Sequence, residues 1–316
     1  MSSIKVLTIS VLMLFSVIAN GGESIDKVLD VKANGSVSIE SMNGKVEIIG
    51  WDKPQVSVKG ELDDDAKGYD FETDSGYTVF KVIMPKSKGR NWSRSSGSRL
   101  TIQVPNQSKV EFESVNGDVS IEKVYGGAKV HSVNGHVTGE DLKNRVTLKT
   151  VNGNVEANNL DGKIKLLTVN GKVKSESTKG RVHFETINGS IYAASQASEV
   201  DAENVNGSVE LTLTQAEEID VTTVNGEVEL DVTLLDDTQL SATSVSGSID
   251  LAVAGKVGGN FKFNTHAGGD IKNRLTDDKV KKHRYAPGKS LRFELSGGDA
   301  KVDVTSVSGQ LSIKRQ

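Results

Sequence analysis

The dipeptide Asn-Gly recurs at Asn116, Asn134, Asn152, Asn170, Asn188 and Asn206 with a constant spacing of 18 residues. It continues more loosely at Asn225-Gly226, Ser246-Gly247 and Ser308-Gly309. A fixed period of this kind constrains the fold more than any local propensity, because one structural unit must repeat and pack on its own copies. Each unit is two halves of nine residues, with Asp161-Gly162 between Gly153 and Gly171, and Lys179-Gly180 between Gly171 and Gly189. Aliphatic residues follow each glycine at +2, often at +4 and commonly at +7: Val155, Ala157 and Leu160 after Gly153, and Ile164, Leu166 and Val169 after Gly162. The +2/+4 alternation is that of a strand with one face in and one face out.

Two assemblies use short strands joined by Asn-Gly turns. One is a series of antiparallel hairpins, for which Asn-Gly is the strongest short-range signal. The other stacks each 18-residue coil on the one before. The columns favour stacking. Val119, Val137, Val155, Val173, Ile191 and Val209 share one position, and Ala128, Val146, Ile164, Val182 and Val200 share another nine residues on. Val115, Val133, Val151, Val169, Ile187, Val205 and Val224 precede the asparagines. Like side chains at a fixed period suit parallel coils stacked about 4.8 Å apart, whereas a meander has no reason for the identity. The expected fold is therefore all-β, a single elongated parallel β-solenoid or β-helix with irregular strands capping it. The small +4 column of Gly139, Ala157, Ser175 and Ala193 suits a thin coil. The asparagines either point inward and bond along the stack or sit in turns and bond their own backbone.

Lys5, the largely apolar run from Val6 to Ala19, and the polar Asn20-Gly21-Gly22-Glu23 read as a secretory signal peptide cleaved after Ala19. The run falls short of the roughly 20 apolar residues of a spanning helix. The expected organisation is thus a signal at 1–19 and a β-solenoid domain at 20–316, with regular coils over 115–250 and an irregular excursion at 256–290. Gly35 and Gly44, each followed by aliphatics at +2 and +4, suggest an earlier copy of the unit. Trp51 follows in Gly50-Trp51-Asp52-Lys53-Pro54, where it suits an end cap. The chain has no cysteine, which excludes disulfides, thiolate nucleophiles and Cys-held metals. An exported chain without cysteine fits a bacterial envelope, in the periplasm or at the cell surface.

Charge is segregated. Val182 to Gly255 holds no Lys or Arg but 14 acidic residues, among them Glu203, Glu210 and Glu229. Residues 256–316 carry 13 Lys and Arg against 6 acidic residues, with Lys281, Lys282 and Arg284 clustered. Lys86, Lys88, Arg90, Arg94 and Arg99 form a second basic group. Glu203, Glu210, Glu229, Lys281, Lys282 and Arg284 are the candidate interaction surface. Their partner would be an envelope protein, an anionic glycan or an anionic lipid surface; nucleic acid is not expected for an exported chain of isoelectric point near 5.8. Polarised charge also allows weak self-association. His131 and His136 lie close in sequence without a third histidine near them, so no metal site is expected, and no cofactor-binding or hydrolase motif is present. No catalytic residue is assigned.

Gly50-Trp51-Asp52, the strand Leu100-Thr101-Ile102-Gln103-Val104-Pro105, the Val-Asn-Gly-x-Val coils from Val115 to Val228, and the terminal Val307-Ser308-Gly309-Gln310-Leu311-Ser312-Ile313 together resemble the bacterial putative-adhesin family, whose domain is of unknown function. The resemblance covers about residues 25 to 316. It implies an envelope or surface location and a stacked β-fold, and it brings no catalytic motif. The expected function is a non-catalytic, exported structural or binding protein, adhesive or scaffolding. The alternatives are a polysaccharide-acting β-helix enzyme using acidic residues on an outward face, and an accessory protein in envelope-stress signalling.

Overall fold

The computed structural model describes residues 22–85, 96–255 and 257–316. The expected signal peptide at 1–19, together with Lys86, Lys88, Arg90, Trp92 and Arg94, lies outside the described residues. The described chain forms 27 strands, numbered β1 to β27 in chain order, hydrogen-bonded into one sheet. The all-β expectation holds. The repeat appears directly as register. β10 (Val137–Glu140) lies parallel between β8 (Lys109–Glu122) and β12 (Val155–Asn158), so that Val119, Val137 and Val155 are neighbours. β11 (Lys143–Asn152) lies likewise between β9 (Ala128–Asn134) and β13 (Asp161–Asn170), aligning Ala128, Val146 and Ile164.

The expectation of a single open, elongated β-solenoid or β-helix is corrected. β8 pairs with both β9 and β10. At the other end β14 (Val173–Asn188) pairs with both β12 and β13. The series β8-β9-β11-β13-β14-β12-β10 therefore returns to its start as a closed parallel barrel of seven strands, with the other 20 outside it. The closure comes from two strands that do not break where the repeat turns. β8 continues through Asn116-Gly117 because β3 (Asn43–Trp51) pairs straight across that corner, Asn43 with Asn116 and Gly44 with Gly117. β14 continues through Ser177-Thr178, where the coil before it breaks, because β15 (Ile191–Ser195) pairs on both sides of that corner, Glu176 with Ala194 and Thr178 with Ser195. Most other coils stop at Asn-Gly, as β9 does at Asn134 before β10 resumes at Val137.

The sheet is not wholly parallel either. β1 (Ser24–Asp30) and β4 (Gln55–Glu61) pair antiparallel, as do β4 and β7 (Ser98–Pro105), and β5 (Tyr69–Asp74) and β6 (Tyr77–Val82). At the C-terminal end β22 (Gly259–Thr265) and β25 (Lys289–Leu295) form an antiparallel pair across the former excursion. Two strands return over a long sequence distance: β26 (Ala300–Ser306) lies beside β20 (Gln239–Ser246), and β27 (Gln310–Arg315) beside β21 (Ile249–Gly255).

The inward columns make one continuous apolar core that includes Val119, Val137, Val155, Val146, Ile164 and Phe184. Where the +4 column is smallest, its neighbours fill the space: a Cβ on Gly139 would stand 2.6 Å from Leu148 Cδ1. Trp51 is half-buried, its indole N–H donating to the Gln55 carbonyl at 2.7 Å with the Lys53 ammonium over the ring.

The corner sequence Ser/Thr-Val-Asn-Gly has a separate task for each residue. The first is buried and donates to a glycine carbonyl one coil back, Thr150 to Gly135 and Thr168 to Gly153, both at 2.9 Å. This hydroxyl column was missed in the sequence, although Ser132, Thr150, Thr168 and Thr186 repeat as regularly as the asparagines. The valine faces out. The asparagine is exposed, and its amide donates to the asparagine one coil back. These links run Asn225, Asn206, Asn188, Asn170, Asn152, Asn134, Asn116, Asn43, at 2.7 to 3.2 Å. The asparagines thus combine features of both expected arrangements: they stand at exposed corners, yet their amides bond along the stack. The glycine is required by close approach. A Cβ on Gly189 would lie 1.7 Å from the Gly171 carbonyl oxygen, although Gly189 has no left-handed φ.

Candidate functional site: two outward faces

Strand alternation turns every second residue of each ladder outward, and the coil register stacks those residues into columns. On the ladder of β11, β13, β14, β16 (Glu199–Asn206) and β18 (Glu218–Asn225), one column reads Arg145, Lys163, Arg181, Glu199, Glu218. Its neighbour reads Thr147, Lys165, His183, Asp201, Asp220. The sign of charge reverses between β14 and β16. The border is stitched by Arg181 Nε to Glu199 Oε2 at 2.9 Å and His183 Nδ1 to Asp201 Oδ2 at 2.7 Å. Asp220 stands one coil further into the acidic half, beside Asp201. Partial burial raises its pKa first, and the Asp201 charge adds to this; a hydrogen bond with Ser241 works the other way.

The nitrogen and oxygen donors of His183, Asp201 and Glu203 all lie within 4.8 Å of one another. One imidazole and two carboxylates are a donor set that suits a borderline divalent ion. In the structure the imidazole Nδ1 pairs with Asp201. The sequence reading weighed His131 and His136, which do not form such a group. The useful signal was the period itself, since Asp201 is 18 residues after His183. His136 instead accepts the Asn154 backbone N–H at 3.1 Å, as part of the corner.

The other outward face contains a groove of about 440 Å³. Its floor follows the column Lys174, Tyr192, Glu210 on β14, β15 (Ile191–Ser195) and β17 (Val209–Leu213). The register shift of β14 between Glu176 and Thr178 falls at its wall, beside Glu176 and Ser177. Tyr192 is half-buried, with the Lys172 ammonium 5.9 Å from its ring centre. Gln196, Thr212 and Thr214 add hydroxyl and amide groups to the wall. A half-exposed aromatic ring among polar groups, in a cleft of this size, suits a ligand with both an apolar face and hydroxyls.

The six sequence candidates do not converge. Glu210 and Glu229 neighbour each other, on β17 and β19 (Val228–Leu234). Glu203 lies on the other face, beside Glu185. Lys281 and Lys282 form the exposed strand β24 (Lys281–Lys282), paired with β25, and Arg284 is exposed beyond it. Sequence reading missed the basic half of the first face, because Arg145, Lys163 and Arg181 become neighbours only through the register.

No helix among the described residues is long and apolar enough to cross a membrane. No curated protein matches the chain. Among solved structures, a putative cell adhesion protein from Clostridium sporogenes is similar over 93% of this chain and 100% of its own, at 11% identity and a TM-score of 0.28. A putative adhesin from Bacteroides fragilis is similar over 92% and 97%, at 12% identity and a TM-score of 0.28. The profile of the Toastrack DUF4097 family matches residues 34–314, and the chain therefore belongs to that family.

Proposed function

We propose that the protein is a non-catalytic, exported binding protein of the bacterial envelope that engages a glycan through the Tyr192 groove. The observation that carries this reading is the groove itself, with its aromatic floor residue between Lys174 and Glu210. Sugars offer C–H faces that stack on aromatic rings, and hydroxyls that bond to Glu, Gln and Thr side chains. The apolar run from Val6 to Ala19 supports export. Envelope polysaccharides are then the glycans within reach.

The test is binding of the purified protein to immobilised neutral and acidic bacterial polysaccharides, with release of reducing ends measured in parallel. The expected result is retention that falls at least tenfold in Tyr192→Ala, with no new reducing ends. Retention unchanged by Tyr192→Ala overturns the groove assignment. Release of reducing ends, abolished by Glu210→Gln, overturns the non-catalytic reading and turns the acidic groove residues into an acid and a nucleophile or base.

A further inference from the structure

The charge reversal between β14 and β16 has a geometric property independent of the groove. We infer that this face binds a second copy of the same chain, face to face, about a two-fold axis parallel to the strands and centred on the border. Such an axis keeps position along the strands and inverts the order of the coils. It sets Lys163 opposite Glu218 of a second copy, Lys165 opposite Asp220, and Arg181 opposite Glu199. Each of these contacts then occurs twice, as in an isologous interface. Lys163 and Lys165 form no salt bridge among the described residues, so both are available for it. One like-charged pair results, Glu185 opposite Glu203.

A second feature obeys the same axis. The valine of each corner motif faces outward on this ladder, beside the charged columns. Ile187, Val205, Val224 and Val245 are 38%, 37%, 38% and 46% exposed. The two-fold sets Val169 against Val224 and Ile187 against Val205, so an apolar stripe meets itself while cations meet anions. A partner of one sign would match only half of this face, whereas a second copy matches both halves and the stripe.

Six strands about 4.8 Å apart, each presenting about 20 Å of outward residues, bury about 600 Å² per copy. That is below the roughly 800 Å² per partner of a standard stable interface, so the dimer falls in the weak, salt-sensitive class.

The test is sedimentation velocity of the purified protein from 5 to 200 µM at 50 and 500 mM NaCl. The expected result is a concentration-dependent dimer at low salt that weakens at least tenfold at high salt. Lys163→Glu/Lys165→Glu and Glu218→Lys/Asp220→Lys should each weaken the dimer at least tenfold. A chain carrying all four reversals should regain it, and an equimolar mixture of the two double variants should form a heterodimer. Ile187→Ser/Val205→Ser should also weaken it. Circular dichroism checks that each variant is folded. A wild type that is monomeric throughout, a dimer indifferent to the reversals, or a fourfold reversal that fails to regain the dimer while remaining folded would overturn the inference. These results do not depend on Tyr192, so the glycan reading and the dimer can fail separately.

Discussion

The side-chain amide of Asn170 donates to Oδ1 of Asn152 at 2.8 Å, and Asn170 Oδ1 accepts in turn from Asn188 at 3.0 Å. The same polarity holds along the whole row, so each amide dipole points the same way. The row ends at Asn43, which donates to the Asp63 carboxylate at 3.3 Å. A carboxylate at the positive end of aligned amide dipoles is the side-chain counterpart of an acid at a helix N-terminus.

Asn170→Ala should remove two links and destabilise the protein by about 1–3 kcal/mol, at about 0.5–1.5 kcal/mol per hydrogen bond. Asn170→Asp keeps the acceptor for Asn188 but loses the donor to Asn152, so it should cost less than the alanine change. Urea unfolding curves of the two variants provide the check; equal midpoints for wild type and Asn170→Ala would show that the exposed row adds nothing.

Gly189→Ala should be far more damaging than its small volume suggests. The added methyl would lie 1.7 Å from the Gly171 carbonyl oxygen, which also accepts the Thr186 hydroxyl, so either the coil spacing or the corner must open. The expected cost exceeds about 3 kcal/mol, within the range of strained or overpacked sites. Gly68→Ala is the control, because nothing lies within 4 Å of its added Cβ and only its φ of 127° is strained. It should cost about 1–2 kcal/mol. Thermal melts of both variants would separate steric contact from backbone strain.

Thr168→Val removes a buried hydroxyl that donates to Gly153 at 2.9 Å and keeps the side chain's shape. The expected loss is about 1 kcal/mol, the net worth of one buried hydrogen bond, whereas Thr168→Ser should keep the donor and lose only a methyl group. If valine proves as stable as threonine, the hydroxyl column is packing rather than bonding.

Asp220 has a folded-state pKa above its unfolded value, from partial burial and the Asp201 charge. The folded state therefore binds its proton more tightly, and this residue's contribution becomes unfavourable as pH rises from the unfolded pKa, about 3.9, through the raised folded value. Asp220→Asn should raise Tm by about 1–2 °C at pH 7, in the range of surface substitutions. The gain should disappear at pH 3, where the wild-type carboxyl is protonated in both states. A gain of equal size at both pH values would trace the effect to something other than charge.

Much of this protein is legible in its residues taken alone. The 18-residue period specifies strands, their parallel register and the inward columns, because like residues recur where like environments recur. The spacing alone places Val119, Val137 and Val155 side by side. The segregation of acidic and basic stretches is equally a property of the chain. The period does not say whether a strand stops at its corner. Asn116-Gly117 reads like every other Asn-Gly, yet β8 runs through it because β3, some seventy residues earlier, pairs across it. Closure of the barrel therefore rests on contacts between distant segments, which only the tertiary structure contains. The faces followed the same rule. Lys163, Arg181 and Glu199 are 18 residues apart and look unrelated in sequence, but stacking at a strand spacing makes them neighbours in a single column. Periodicity encodes which residues repeat, whereas the path of each strand through its corners decides which of them meet.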